Sequence, residues 1–185
     1  MKKTTLRYAI AVVILLLLVA YFVRFQLPEF LSTEGEKKFN SGDYESALNY
    51  FNNALFFDSN QKITWVNKGA TLWRLNRQEE SLLCYEKALE IDENFEPAWY
   101  ARGQSLYEMG RYDEAIQNFD KALEINDSNW LAWNSRATAL EATGRYKDAI
   151  VSYNQALQIN NQSKDIWNNL GKLLYRLGDY ENSIN

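Results

Sequence analysis

The sequence has no histidine, which removes both the side chain that most often acts as a general base near neutral pH and the commonest metal ligand. Its single cysteine, Cys84, excludes an intrachain disulfide framework and any cysteine cage for zinc. No nucleophile motif compensates for these gaps, so the chain is expected to be no enzyme and to hold neither cofactor nor metal. Prolines number two, while hydrophobic residues make up 46% and aromatics 15%, enough apolar material for a packed core and too much for a disordered chain.

Acid is also missing, but only locally. The first 27 residues carry Lys2, Lys3, Arg7 and Arg24 and no carboxylate, which leaves 16 basic against 24 acidic residues from Pro28 onward. A body that acidic repels a phosphate backbone, and no basic stripe interrupts it, so nucleic acid is not an expected partner.

Within that basic start, Tyr8 to Val23 is an uncharged and mostly apolar run. Arg24 can snorkel to the headgroups while Phe25 and Leu27 prolong the apolar surface, so residues 8–27 reach the ~20 residues a bilayer core requires. Residues 1–27 therefore read as a basic N-terminus and a transmembrane signal-anchor helix. A cleaved secretory signal and a buried soluble helix are the competing readings. The bulky Ala20-Tyr21-Phe22-Val23-Arg24-Phe25 segment lacks the small-x-small site that cleavage needs. Lys2, Lys3 and Arg7 flank one end of the span against Arg24 at the other, with Lys37 and Lys38 farther on, which favours a cytoplasmic N-terminus with the repeats outside.

From Pro28 onward the same residue types return every 34 positions. Trp65, Trp99, Trp133 and Trp167 keep step, as do Gly35, Gly69, Gly103 and Gly171, with Ala137 in the fourth copy. Gly42, Gly110, Gly144 and Gly178 form a third set, completed by Asn76, and Ala54, Ala88, Ala122 and Ala156 form a fourth. Inside each copy the apolar spacing is helical, as in Trp99, Gly103 and Leu106, then Ala115, Phe119 and Ala122. Each copy is thus two helices joined by a short turn, with the Gly or Asn suited to a left-handed residue after the first helix. Gly103 and Ala115 mark a close approach between the two helices, and bulk at Gly103 should force them apart.

This pattern resembles the tetratricopeptide repeat family, most specifically where Trp99, Gly103, Leu106, Gly110, Tyr112, Ala115, Phe119 and Ala122 occupy the family's positions. The resemblance implies an all-α fold: a transmembrane helix followed by an α-solenoid of antiparallel helix pairs. Its repeats span 28–61, 62–95, 96–129 and 130–163, with a partial fifth at 164–185. The first copy is weak, since Leu31 replaces Trp and Thr33 with Glu36 forms a capping box that would start its first helix late. The family's proline is replaced by Ser59, Glu93, Asp127 and Asn161, so those turns are expected to be less rigid. Cys84 is expected to be partly exposed and inert.

The family receives proteins or peptides in a groove lined by the first helices. The stripe one residue beyond the Trp positions, taken as the buried stripe, is the candidate here: Trp73, then Tyr100, Gln104 and Tyr107, then Asn134 and Thr138, then Asn168, Lys172 and Tyr175. Rings and amides together suit a partner's side chains and backbone. The carboxylate clamp of some family members is absent, since its first window offers Ser32, Glu36, Asn67, Pro97 and Ala101. The expected function is a membrane-tethered scaffold or adaptor for a protein or peptide. The alternative is the regulatory or targeting part of a longer chain with a downstream catalytic domain, suggested by a fifth copy that stops at Asn185 without a capping helix.

Overall fold

A computed structural model describes residues 2–178, so the end of the fifth copy, 179–185, lies outside the described residues. Among those described, every regular element is helical, which is the expected all-α, solenoid-type fold class. Two compact units divide the chain, Met1–Ile91 and Asp92–Asn185, and each is taken by itself.

In the first unit, α1 (Lys2–Tyr21) passes through a π-helical turn (Phe22–Gln26) into α2 (Leu27–Asn40) without a break. Pro28 explains the turn. Its ring offers no N–H and would clash with a carbonyl four residues back, and the wider turn, closed by Leu27 N–H donating to Phe22 O, relieves both. The helix therefore does not start late at a capping box. Thr33 Oγ1 donates instead to Glu29 O within the helix (3.0 Å), and Glu36 Oε1 accepts from Asn67 Nδ2 (2.7 Å). Helices α3 (Tyr44–Phe57), α4 (Lys62–Arg74) and α5 (Gln78–Ile91) complete two hairpins.

The second unit holds α6 (Glu96–Glu108), α7 (Tyr112–Ile125), α8 (Trp130–Ala142), α9 (Tyr146–Ile159) and α10 (Lys164–Arg176). Each first helix ends in a left-handed residue, Gly42, Gly110, Gly144 and Gly178 near φ +80° and Asn76 at +60°. After it, the chain closes back on the helix, as in Arg111 N donating to Leu106 O and Gly110 N to Tyr107 O (both 2.9 Å). At three of these turns the next residue is an arginine that reaches a first-turn acid, Arg77 to Glu80, Arg111 to Glu114 and Arg145 to Asp148, while after Gly42 Asp43 caps α3 by accepting from Ser46 N (3.3 Å). Those acids also face the positive end of the helix dipole.

The hairpins are held at their closest points by glycine against a ring. A Cβ on Gly35, Gly69 or Gly103 would sit 2.6, 2.6 and 2.7 Å from ring carbons of Phe51, Tyr85 and Phe119. Those rings are buried, and Ala54, Ala88, Ala122 and Ala156 beside them have no exposed surface. Cys84 is buried with Leu48 and Leu72, not partly exposed, and burial pushes its thiol up to about 11. A thiol so protonated at neutral pH is inert.

Candidate protein-binding face

The Trp positions are half-buried, not buried, and Trp167 is 47% exposed; the residues sealed from solvent are their predecessors Thr64, Ala98, Ala132 and Ile166. Partial exposure leaves each indole beside the preceding turn. Trp65, Trp99, Trp133 and Trp167 donate Nε1–H to the carbonyls of Ser59, Glu93, Asp127 and Asn161 at 2.8–2.9 Å. One residue earlier, Asp58, Asp92, Asn126 and Asn160 accept from the backbone N–H two residues on. The turns that lack the family's proline are thus tied by two side chains each, contrary to the looser turns expected from sequence.

These ties fix the start of each first helix and so the direction of its stripe. In the second unit, Gln104 donates to the Tyr100 hydroxyl one turn back and to Ser135 Oγ on α8 (3.4 Å), while the Tyr100 ring packs at 6.0 Å on Phe119. Both residues are half-buried, so they brace α6 against α7 and α8 while keeping an exposed edge. The Asn134 Oδ1 is sealed from solvent with no donor facing it, so the carbonyl end of this amide points inward.

Farther along, Tyr107, Thr138 and Lys172 meet in one cavity of about 240 Å³, lined also by Glu141, Tyr153, Asn169 and Arg176. Glu141 organises its floor. One of its oxygens pairs with Arg176 Nη1 (2.9 Å) and the other accepts from the Tyr153 hydroxyl (3.2 Å). Burial, reinforced by the Glu141 charge, pushes the Tyr153 phenol well above its ordinary value, so it remains a donor. With the carboxylate engaged on both oxygens, Lys172 adds a further positive charge to the wall.

Asn168 and Tyr175 are exposed and do not line this cavity; α10 supplies Asn169, Lys172 and Arg176 instead. Asn169 and Arg176 were not among the expected residues, because spacings of three and four both continue a helical stripe and differ by one step of rotation. In the first unit Trp73 is half-buried and does not line the cavity there, which takes Ala70 with Glu36, Phe39, Asn40, Phe51 and Asn67. Among the described residues no cluster of carboxylates, histidine or cysteine could hold a metal ion.

Tetratricopeptide repeat models match residues 69–110, 100–164 and 164–185. No curated protein matches the chain in sequence. Among solved structures, pilF of Pseudomonas aeruginosa superposes with a TM-score of 0.80 at 18% identity, covering 86% of this chain and 73% of that one. Residues 41 to the end of MamA from Desulfovibrio magneticus RS-1 give 0.78 at 16%, covering 87% and 91%. YrrB, described as a TPR protein with an unusual peptide-binding site, gives 0.68 at 18%, covering 83% and 79%. These likenesses carry the fold alone. Three family matches that run on from one another over residues 69–185, on hairpins built to one geometry, make this chain a tetratricopeptide repeat protein.

Proposed function

We propose that the chain is a membrane-tethered scaffold that binds a protein or peptide on the first-helix face of its repeats. The observation that carries the binding half is the cavity where Tyr107, Thr138 and Lys172 meet between first helices, offering a ring, a hydroxyl and a cation within about 240 Å³. Tyr100, Gln104 and Asn134 continue that face along α6 and α8, Asn168 and Tyr175 extend it on α10, and Trp73 offers a corresponding site in the first unit. YrrB, of the same fold, has a peptide-binding site, which supports the reading. Without the carboxylate clamp, recognition falls on side chains and internal backbone of the partner, not on its C-terminus.

The tether rests on α1. Its described apolar side chains, from Tyr8 and Ile10 through Leu18 to Tyr21, stand 51–73% exposed, a surface that water does not tolerate on this scale and a bilayer does. Residues 8–27 would cross the membrane once, with the N-terminus cytoplasmic and the repeats, bounded at 28–61, 62–95, 96–129, 130–163 and 164–185, outside.

A pull-down from solubilised membranes tests the face. Tyr107→Ala with Lys172→Ala is the variant of choice, because neither side chain is buried. Equal recovery of the same partners by parent and variant would remove the assignment. Orientation needs a probe other than the buried Cys84: Leu83→Cys in a Cys84→Ser background places an exposed thiol on α5. Labelling of intact cells by an impermeant maleimide is the expected result, and labelling only after permeabilisation reverses the topology.

A further inference from the structure

The last turn of α3, which leads out of the first repeat, differs from its sisters in carrying an exposed ring. Phe56 stands where the later copies have Glu90, Glu124 and Gln158, and it is 82% exposed, the most open large hydrophobic residue of the chain's described part. An exposed phenylalanine in a register otherwise given to acids and amides calls for a surface to meet it.

Its height above α1 is fixed by the packing. Phe51 lies against Gly35, so residue 51 of α3 is level with residue 35 of α2. Helix α3 runs back toward α1, which brings Phe56 about 8 Å nearer the anchor, level with Phe30. Ser32 Oγ lies 2.8 Å from Thr64 Oγ1, so Ile63, one residue earlier on α4, shares that level. Phe30 and Ile63 are 55% and 57% exposed. Three neighbouring helices thus each present an exposed apolar side chain at one height.

That height is meaningful because α1, the π-helical turn and α2 form one unbroken run. If Tyr8 to Leu27 fill a hydrocarbon core of about 30 Å, the level of residue 30 is roughly 5 Å past its edge, within the headgroup layer. Apolar side chains of peripheral helices settle at this depth. Ile63 also borders a cavity between α2 and α4 that it shares with Phe25, Glu29, Ser32 and Thr33, so its apolar side chain stands beside an exposed carboxylate at this level.

We propose that Phe30, Phe56 and Ile63 form a second, peripheral membrane contact that seats the first hairpin in the headgroup layer of the bilayer crossed by α1. The inference rests on the membrane reading of α1 and adds to it: the first hairpin and, through Ile63, the start of α4 in the second are held against the lipid and not merely hung from one helix.

The full chain in phosphatidylcholine vesicles tests it. In a Cys84→Ser background, bimane is placed in turn by Asn60→Cys, in the turn after Phe56, by Gln162→Cys, the same position three turns farther along the repeats, and by Ile14→Cys in α1. Nitroxide is carried either on the lipid headgroup or at mid-chain. Mid-chain nitroxide should quench the label at 14, and headgroup nitroxide should quench the label at 60 but not that at 162. Adding Phe56→Glu, the residue type of the sister copies, should return the label at 60 to the behaviour of that at 162. If 14 is quenched and 60 behaves like 162, the seat is overturned while the anchor stands. An unquenched label at 14 removes the anchor and the seat with it. Quenching at 60 that survives Phe56→Glu, or shielding of 60 from both lipid nitroxide and aqueous iodide, overturns the proposal by showing a contact Phe56 does not make or a protein cover.

Discussion

The indole Nε1 of Trp99 donates to the carbonyl of Glu93, six residues back, at 2.8 Å, closing the turn that leads into α6. The carbonyl belongs to a turn and accepts from no backbone N–H, so the indole supplies what a helix would have supplied. Trp99→Phe keeps much of the ring and deletes the donor. The expected cost is about 1–2 kcal/mol, combining one lost hydrogen bond with slightly less packing. Urea unfolding of the full chain in detergent micelles should show this loss, and an unchanged midpoint would deny the tie any energetic role.

Gly103 opposes Phe119 so closely that a Cβ would stand 2.7 Å from the ring. Alanine gains about 1 kcal/mol of helix propensity over glycine, but overpacking a sealed core costs about 1–3 kcal/mol. Overpacking wins, because the Phe119 ring has no exposed surface into which to retreat. Gly103→Ala should therefore destabilise by about 1–2 kcal/mol. In a Phe119→Leu background the same change should be neutral or stabilising, a coupling that a double-mutant cycle reads directly.

Asn76 adopts φ +60° where the sister turns use glycine. Asn76→Ala puts a Cβ into the left-handed region without the local hydrogen bonding an amide offers, and should cost about 1–2 kcal/mol. Asn76→Gly should stay within about 0.5 kcal/mol of the parent. Equal midpoints for the alanine and glycine variants would mean that the turn relaxes out of its left-handed form.

The repeat was legible because each periodic residue has one contact behind it. Glycine every 34 residues meets a ring sixteen residues later, and the turn glycines take the left-handed residue. What escaped the sequence has equally specific causes. Pro28 reads as a boundary, yet a π-helical turn carries the helix through it, a backbone adjustment with no side-chain signature. The Thr33 and Glu36 pair has the spacing of a cap, but spacing cannot show that the helix has already begun. The face on α10 is off by one position, since Asn168 and Asn169 differ by only 100° of rotation and both fit the stripe. The tie from Trp to the preceding turn was written in the sequence as Asp58, Asp92, Asn126 and Asn160, each seven residues before a tryptophan.

Cys84 should report on alkaline stability. Its thiol is raised from 9.0 to about 11, first by desolvation, so the folded state holds the proton more tightly than the unfolded one. The stabilisation this gives is fully present below pH 9 and is lost as pH rises toward 11, amounting to about 2 kcal/mol by that point. Parent and Cys84→Ser should differ in the steepness of their stability loss between these values, the serine variant falling less. The position tolerates serine, since Ser152 fills it in a later copy. Identical pH profiles would show that the thiol ionises without cost.

Arg136 joins two hairpins of the second unit: Nε donates to Asp120 Oδ1 on α7 and Nη1 to Ser152 Oγ on α9, both at 2.6 Å, with the guanidinium 5.9 Å above the Trp133 ring. Only a planar fork can reach both partners at once, so lysine is not a conservative replacement here. Removing it leaves little stranded. Asp120 is 42% exposed and takes water, and Ser152, though sealed, still donates to Asp148 O (2.9 Å). Arg136→Met, which preserves the stem over Trp133, should therefore cost about 1–2 kcal/mol, well short of the penalty for breaking a buried pair. Arg136→Lys should cost nearly as much. Because Asp120 is half in solvent, the parent's advantage over Arg136→Met should shrink in 1 M salt, where the Debye length is about 3 Å. If lysine matches arginine at low salt, charge alone joins the hairpins and the two-partner geometry contributes nothing.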